Sequence, residues 1–92
     1  MNGEFKTWVA YDNLYLWAER KTEEAAKAVA ARFPNAAVKG FKFVEGDEVK
    51  SRLGEILTVI RPATSVTGAF GYKVSGGKWE FYSEDDVVAI GQ

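Results

Sequence analysis

Aromatic and β-branched residues dominate residues 5–11 (Phe5, Thr7, Trp8, Val9, Tyr11), which predicts a strand. Asp12-Asn13 follows as a candidate two-residue hairpin turn, since both residue types tolerate positive φ. Residues 14–19 then alternate, with Leu14, Leu16 and Ala18 on one side and Tyr15, Trp17 and Glu19 on the other. The period changes at residue 22. Ala26, Val29, Ala30 and Phe33 fall at helical spacing, Thr22 suits the N-cap, Glu23 and Glu24 suit the positive end of the helix dipole, and Pro34 stops the run. A helix over residues 22–33 with an alanine-rich stripe can lie close on a sheet. Residues 36–44 return to strand character. Val38 and Phe41 differ in parity, so a bulge at Gly40 is expected, leaving Lys39 and Lys42 facing solvent.

Glu45-Gly46-Asp47-Glu48 reads as an acidic turn, and residues 49–54 carry no clear period. Residues 55–61 are apolar on both faces, the pattern of a central strand. Residues 62–68 are small and polar and are expected to form a loop open to contacts. Gly76-Gly77 as a two-residue turn pairs Val74 with Trp79, Tyr72 with Phe81 and Phe70 with Ser83 on one face, and Lys73 with Glu80 and Gly71 with Tyr82 on the other. Val29, Phe33, Trp79 and Phe81 are then expected in the core. Ser83 to Asp86 can start a helical turn before a last apolar segment, residues 87–90. The order ββ-α-β-β-ββ predicts an α+β fold: one domain over residues 1–92, a small antiparallel sheet with one alanine-rich helix packed on one face.

Composition narrows the chemistry. The 92 residues carry 12 basic and 13 acidic side chains, a net charge of −1, so no global field draws the chain to nucleic acid or anionic lipid. Histidine and cysteine are both absent. That removes the commonest general base, the commonest metal ligand, thiolate chemistry and disulfides. No phosphate-cradling glycine loop is present, and Gly76-Gly77 is better explained as a turn. A non-catalytic protein with no metal and no cofactor is therefore expected. Residues 1–6 lack the basic and apolar regions of a signal peptide, and no apolar run reaches the length of a membrane span. Cytoplasmic residence is the expectation.

Three sets of residues remain as contact candidates. Glu84, Asp85 and Asp86 lack the spacing of a calcium loop and are read as a helix start or a negative interface. Lys39, Lys42, Lys50, Arg52, Arg61, Lys73 and Lys78 all follow the helix. With Tyr82, Trp17 and Tyr15 they could present cations and rings on an open sheet face, as single-strand binders do. Their bland alternative is to blunt strand edges and keep the sheet soluble.

Leu14 to Trp17, the run Lys21-Thr22-Glu23-Glu24-Ala25-Ala26-Lys27-Ala28-Val29-Ala30, Phe33-Pro34, Val38 to Val44 and the later Gly77-Lys78-Trp79 together resemble the small phage-encoded anti-CRISPR proteins, type I-F inhibitors above all. The resemblance implies a stoichiometric inhibitor that docks on a host RNA-guided complex and blocks its access to target DNA. It transfers no functional residue. The residues themselves leave three functions open: such a protein-binding inhibitor, a direct single-stranded nucleic-acid-binding module, and a small structural or assembly subunit. Lys39, Lys42, Lys73, Tyr82, Glu84, Asp85 and Asp86 are the expected partner-binding residues. The expected partner is a host protein or ribonucleoprotein complex, with nucleic acid inside it and no membrane involved.

Overall fold

The computed structural model describes residues 5–90, which form two compact units, Met1–Phe43 and Val44–Gln92. The expected α+β class is observed, but the expected single sheet is replaced by a three-stranded and a five-stranded antiparallel sheet.

In the first unit β1 (Thr7–Tyr11) lies between β2 (Trp17–Arg20) and β3 (Ala37–Phe41), and helix α1 (Glu23–Ala30) links β2 to β3 while contacting all three strands. The β1–β2 connection is longer than two residues. The Asp12 carboxylate accepts hydrogen bonds from the amides of Leu14, Tyr15 and Leu16 at 2.8–2.9 Å, which winds residues 12–16 into a loop. Leu14 and Tyr15 therefore sit in that loop, 78% and 95% exposed, instead of alternating along a strand.

Thr22 caps α1 as expected, its hydroxyl accepting from the Ala25 amide at 3.1 Å, and Glu23 pairs with Lys27 at 3.2 Å. The helix closes earlier than its apolar spacing predicts. The amides of Arg32 and Phe33 bond back to the carbonyls of Val29 and Ala30, three residues away, which tightens the last turn and swings Phe33 off the stripe to 41% exposure. Val29 is half-buried and Ala26 fully buried. The expected bulge at Gly40 is absent. β3 pairs regularly with β1, so Phe41 shares a face with Thr7 and Val9, and Val38 shares the other with Ala10. Both faces of this sheet take apolar side chains, which removes the parity conflict. Glycine is required at 40 for space: a Cβ there would stand 2.9 Å from the rings of Phe5 and Trp8.

In the second unit β4 (Glu48–Ser51), β5 (Ile56–Thr64), β6 (Phe70–Ser75), β7 (Phe81–Ser83) and β8 (Val87–Ala89) take the order β7-β6-β5-β4-β8. A 3-10 turn (Glu84–Asp86) precedes β8. Val49, Leu57, Val59, Pro62, Tyr72, Val74, Tyr82 and Val87 are buried and form its core. β5 runs on through Pro62, which was expected to open a loop; the connection is instead residues 65–69. Proline is tolerated because β4 pairs only with the first part of β5, so at Pro62 that side of the strand carries no ladder. A register shift between Val59 and Arg61 turns the second half of the strand.

The last hairpin is one residue out of the expected register. Gly71 pairs with Ser83, Tyr72 with Tyr82 and Lys73 with Phe81, and the Val74 amide reaches the Glu80 carbonyl at 2.8 Å. Residues 75–79 form the loop, with Gly76 at φ +94°. A slip of one residue exchanges the faces of a strand. Tyr82 thus enters the core at 5% exposure, and Trp79, which was expected inside, is 52% exposed.

Candidate functional site

The turn after β4 is built around Ser51, which is 4% exposed. Its hydroxyl accepts from the amides of Leu53 and Glu55 at 3.2 Å and donates to Glu55 Oε1 at 3.1 Å. Gly54, at φ +88°, allows the tight return. The turn presents Arg52 and Leu53 outward, with Leu53 71% exposed, and aims the Glu55 carboxylate at the β6–β7 loop.

That carboxylate braces the loop. Glu55 Oε2 accepts from the Lys78 amide at 2.7 Å, and Glu55 Oε1 accepts from the Tyr82 hydroxyl at 2.7 Å. The same hydroxyl accepts from the Lys78 amide at 3.1 Å. These contacts stabilise the ionised form of Glu55: the Tyr82 hydroxyl first, then the Lys78 amide, hold it below its ordinary pKa. Burial, and then the neighbouring carboxylate, push the Tyr82 phenol above its ordinary value. Glu55 is therefore an ionised brace at neutral pH, and Tyr82 a neutral donor.

The brace positions an apolar groove of about 410 Å³. Ser51, Arg52 and Leu53 line one wall, Trp79 comes from the loop, Phe81, Tyr82 and Ser83 from β7, and Asp86 from the 3-10 turn. Trp79 stands edge-on to Tyr82, ring centroids 5.6 Å apart, with Lys78 Nζ 5.2 Å from its own centroid. Asp86 fixes the rim: Arg52 Nε lies 3.2 Å from its Oδ1, the Arg52 amide donates to its carbonyl at 3.1 Å, and the Ser83 hydroxyl donates to its Oδ2 at 3.0 Å. An apolar cleft with an ordered ion pair on its rim suits an apolar or aromatic side chain of a partner.

The expected contact residues are divided by the fold. Tyr82 and Asp86 meet in the groove, but Tyr82 acts from within the core as a brace and offers no open stacking face. Glu84 is half-buried and Asp85 exposed in the 3-10 turn. Lys73 lies on the opposite face of its sheet, between Arg61 and Phe81 in place of the expected Glu80. Lys39 and Lys42 belong to the first unit. Lys39 is half-buried, its ammonium 5.4 Å from the centre of the Phe41 ring, so it does not stand free in solvent; Lys42 is exposed. Glu55, Arg52, Leu53 and the exposed Trp79 were not foreseen. Their one sequence signal is Ser51 four residues before Glu55 with Gly54 between, a pattern that permits the braced turn.

Among the described residues no group of three or more acidic side chains is placed to hold a metal ion, and no helix is long and apolar enough to cross a membrane. Comparison with family models, with curated proteins and with solved structures finds no match to the chain.

Proposed function

We propose that this protein is a non-catalytic binding protein that docks on a larger protein partner through the Trp79 groove, and that it acts as a stoichiometric inhibitor. The observation that carries this reading is Trp79 itself: a large ring left half in water on a loop held by the Glu55 carboxylate. An exposed ring costs hydrophobic stabilisation, and a fixed one loses little entropy when a partner covers it. Tryptophan and arginine are the residues that most often dominate a protein interface, and Arg52 stands on the same groove. The partner class comes from the resemblance to type I-F anti-CRISPR proteins: a host nucleic-acid-processing complex whose access to target DNA is blocked.

The test uses a reconstituted RNA-guided surveillance complex and labelled target DNA. Adding the wild-type protein in equal amount should abolish DNA binding. Trp79→Ala should weaken the inhibition about 30-fold or more, a hot-spot loss of about 2 kcal/mol. Undiminished inhibition by folded Trp79→Ala would remove the groove as the contact. Absence of any complex with the wild-type protein would remove the anti-CRISPR-like function.

A further inference from the structure

Across the outer face of the five-stranded sheet, Arg61 of β5, Lys73 of β6 and Phe81 of β7 lie side by side in one row. Like charges placed directly opposite on neighbouring strands destabilise a sheet. Nothing in the protein offsets this pair. Neither cation makes an ion pair with a described residue, and β5, β6 and β7 contain no acidic side chain. The adjoining rows hold Thr58 and Ser75 on one side and Ala63, Gly71 and Ser83 on the other, while Glu48 stands one strand further out, opposite Thr58. Beside the cations the half-buried Phe81 ring lies across Gly71, where a Cβ would stand 2.6 Å from the ring tip.

We propose that this row binds single-stranded nucleic acid, with a phosphate between Arg61 and Lys73 and a base against Phe81. The proposal goes beyond the Trp79 groove and does not depend on its partner. A phosphate removes the repulsion that the sheet otherwise carries, and the planar guanidinium of Arg61 matches two of its oxygens. Arg61 and Phe81 are two strand spacings apart, about 10 Å, a span that sets a base beside its backbone. A ring displayed on a sheet face reads an unstacked base, which selects single strands over duplex.

The experiment measures fluorescence anisotropy of labelled oligothymidylate and oligouridylate with the full chain at low and rising salt. The wild type should bind, and Arg61→Gln/Lys73→Gln should weaken binding and flatten the dependence of log K on log salt by about 1.4, or ~0.7 per lost phosphate contact. Phe81→Leu should weaken binding with an unchanged slope. The double variant should melt at or above the wild-type temperature, since the like-charge pair is gone, so its loss of binding is not a loss of fold. No wild-type binding at low salt, or an unchanged slope in the double variant, overturns the proposal. Equal binding of an acidic polypeptide that is indifferent to Phe81→Leu overturns it too, assigning the pair to a protein partner.

Discussion

Replacing Gly71 with alanine tests the register of the last hairpin at its tightest point. A Cβ at this position would stand 2.2 Å from the Tyr82 carbonyl oxygen and 2.7 Å from Ser83 Cα, both backbone atoms that no rotamer change can move. Restoring ordinary contact requires β7 to move by about 1 Å or more, since unstrained Cβ contacts begin near 3.4 Å. Overpacking of this kind costs about 1–3 kcal/mol. Loosened β6–β7 hydrogen bonds add about 0.5–1.5 kcal/mol each, while removing a strand glycine returns about 0.5–1 kcal/mol. The net loss is about 2–4 kcal/mol, and at ~4–8 °C per kcal/mol the melting temperature should fall by roughly 10–20 °C. Circular dichroism melting reads the shift. Gly54→Ala is the control, because its φ of +88° is strained but nothing lies within 4 Å, so only about 1–2 kcal/mol should be lost. A Gly71→Ala protein that melts within about 2 °C of wild type, with native spectra, would refute the observed strand pairing.

Leu57, fully buried between β4 and β6, should lose about 2–5 kcal/mol as Leu57→Ala in urea unfolding. Thr22→Ala removes the hydroxyl that accepts from the Ala25 amide and should cost about 1 kcal/mol, read as a lower denaturation midpoint. Acid should destabilise the fold through Glu55 and Asp12. Both are held below their ordinary values of 4.5 and 3.8, so their contribution is complete above those values and is lost as pH falls through the lower folded values; Glu55→Gln should flatten the acid limb of a stability–pH curve. In alkali the sign reverses for Tyr82, whose raised value means that stability is lost above pH 10, and a spectrophotometric phenol titration of Tyr82→Phe should lack the late component.

Local signals served well where the physics is local. The Thr22 cap, the first strand and the α+β class all follow from side chains acting within a few residues of their own backbone. The hairpin failed because Gly76-Gly77 satisfies a two-residue turn on local grounds, whereas the loop is set from afar. Gly77 has no room for a side chain beside Leu57 and Tyr82, and Lys78 takes its hydrogen bond from a carboxylate 23 residues away. That one-residue slip carried Tyr82 inward and Trp79 outward, so the groove could not be read from alternation. Phe33 and Pro62 misled for related reasons: where a helix tightens, or where a neighbouring strand stops, is decided by packing and pairing partners and not by the residue itself.

Both edges of the five-stranded sheet are three residues long, β7 and β8, and the run between them is the acidic Glu84-Asp85-Asp86. A strand edge exposes unpaired amides and carbonyls that another chain can extend, and a short edge flanked by like charge offers that chain few rungs and a repulsive approach. The longest strand, β5, carries the most apolar surface and lies second from neither vacant side, paired by β4 along its start and by β6 beyond it. The segment best suited to stack into fibrils is thereby sealed inside the sheet, and aggregation from the folded state must wait until β6 or β4 peels away.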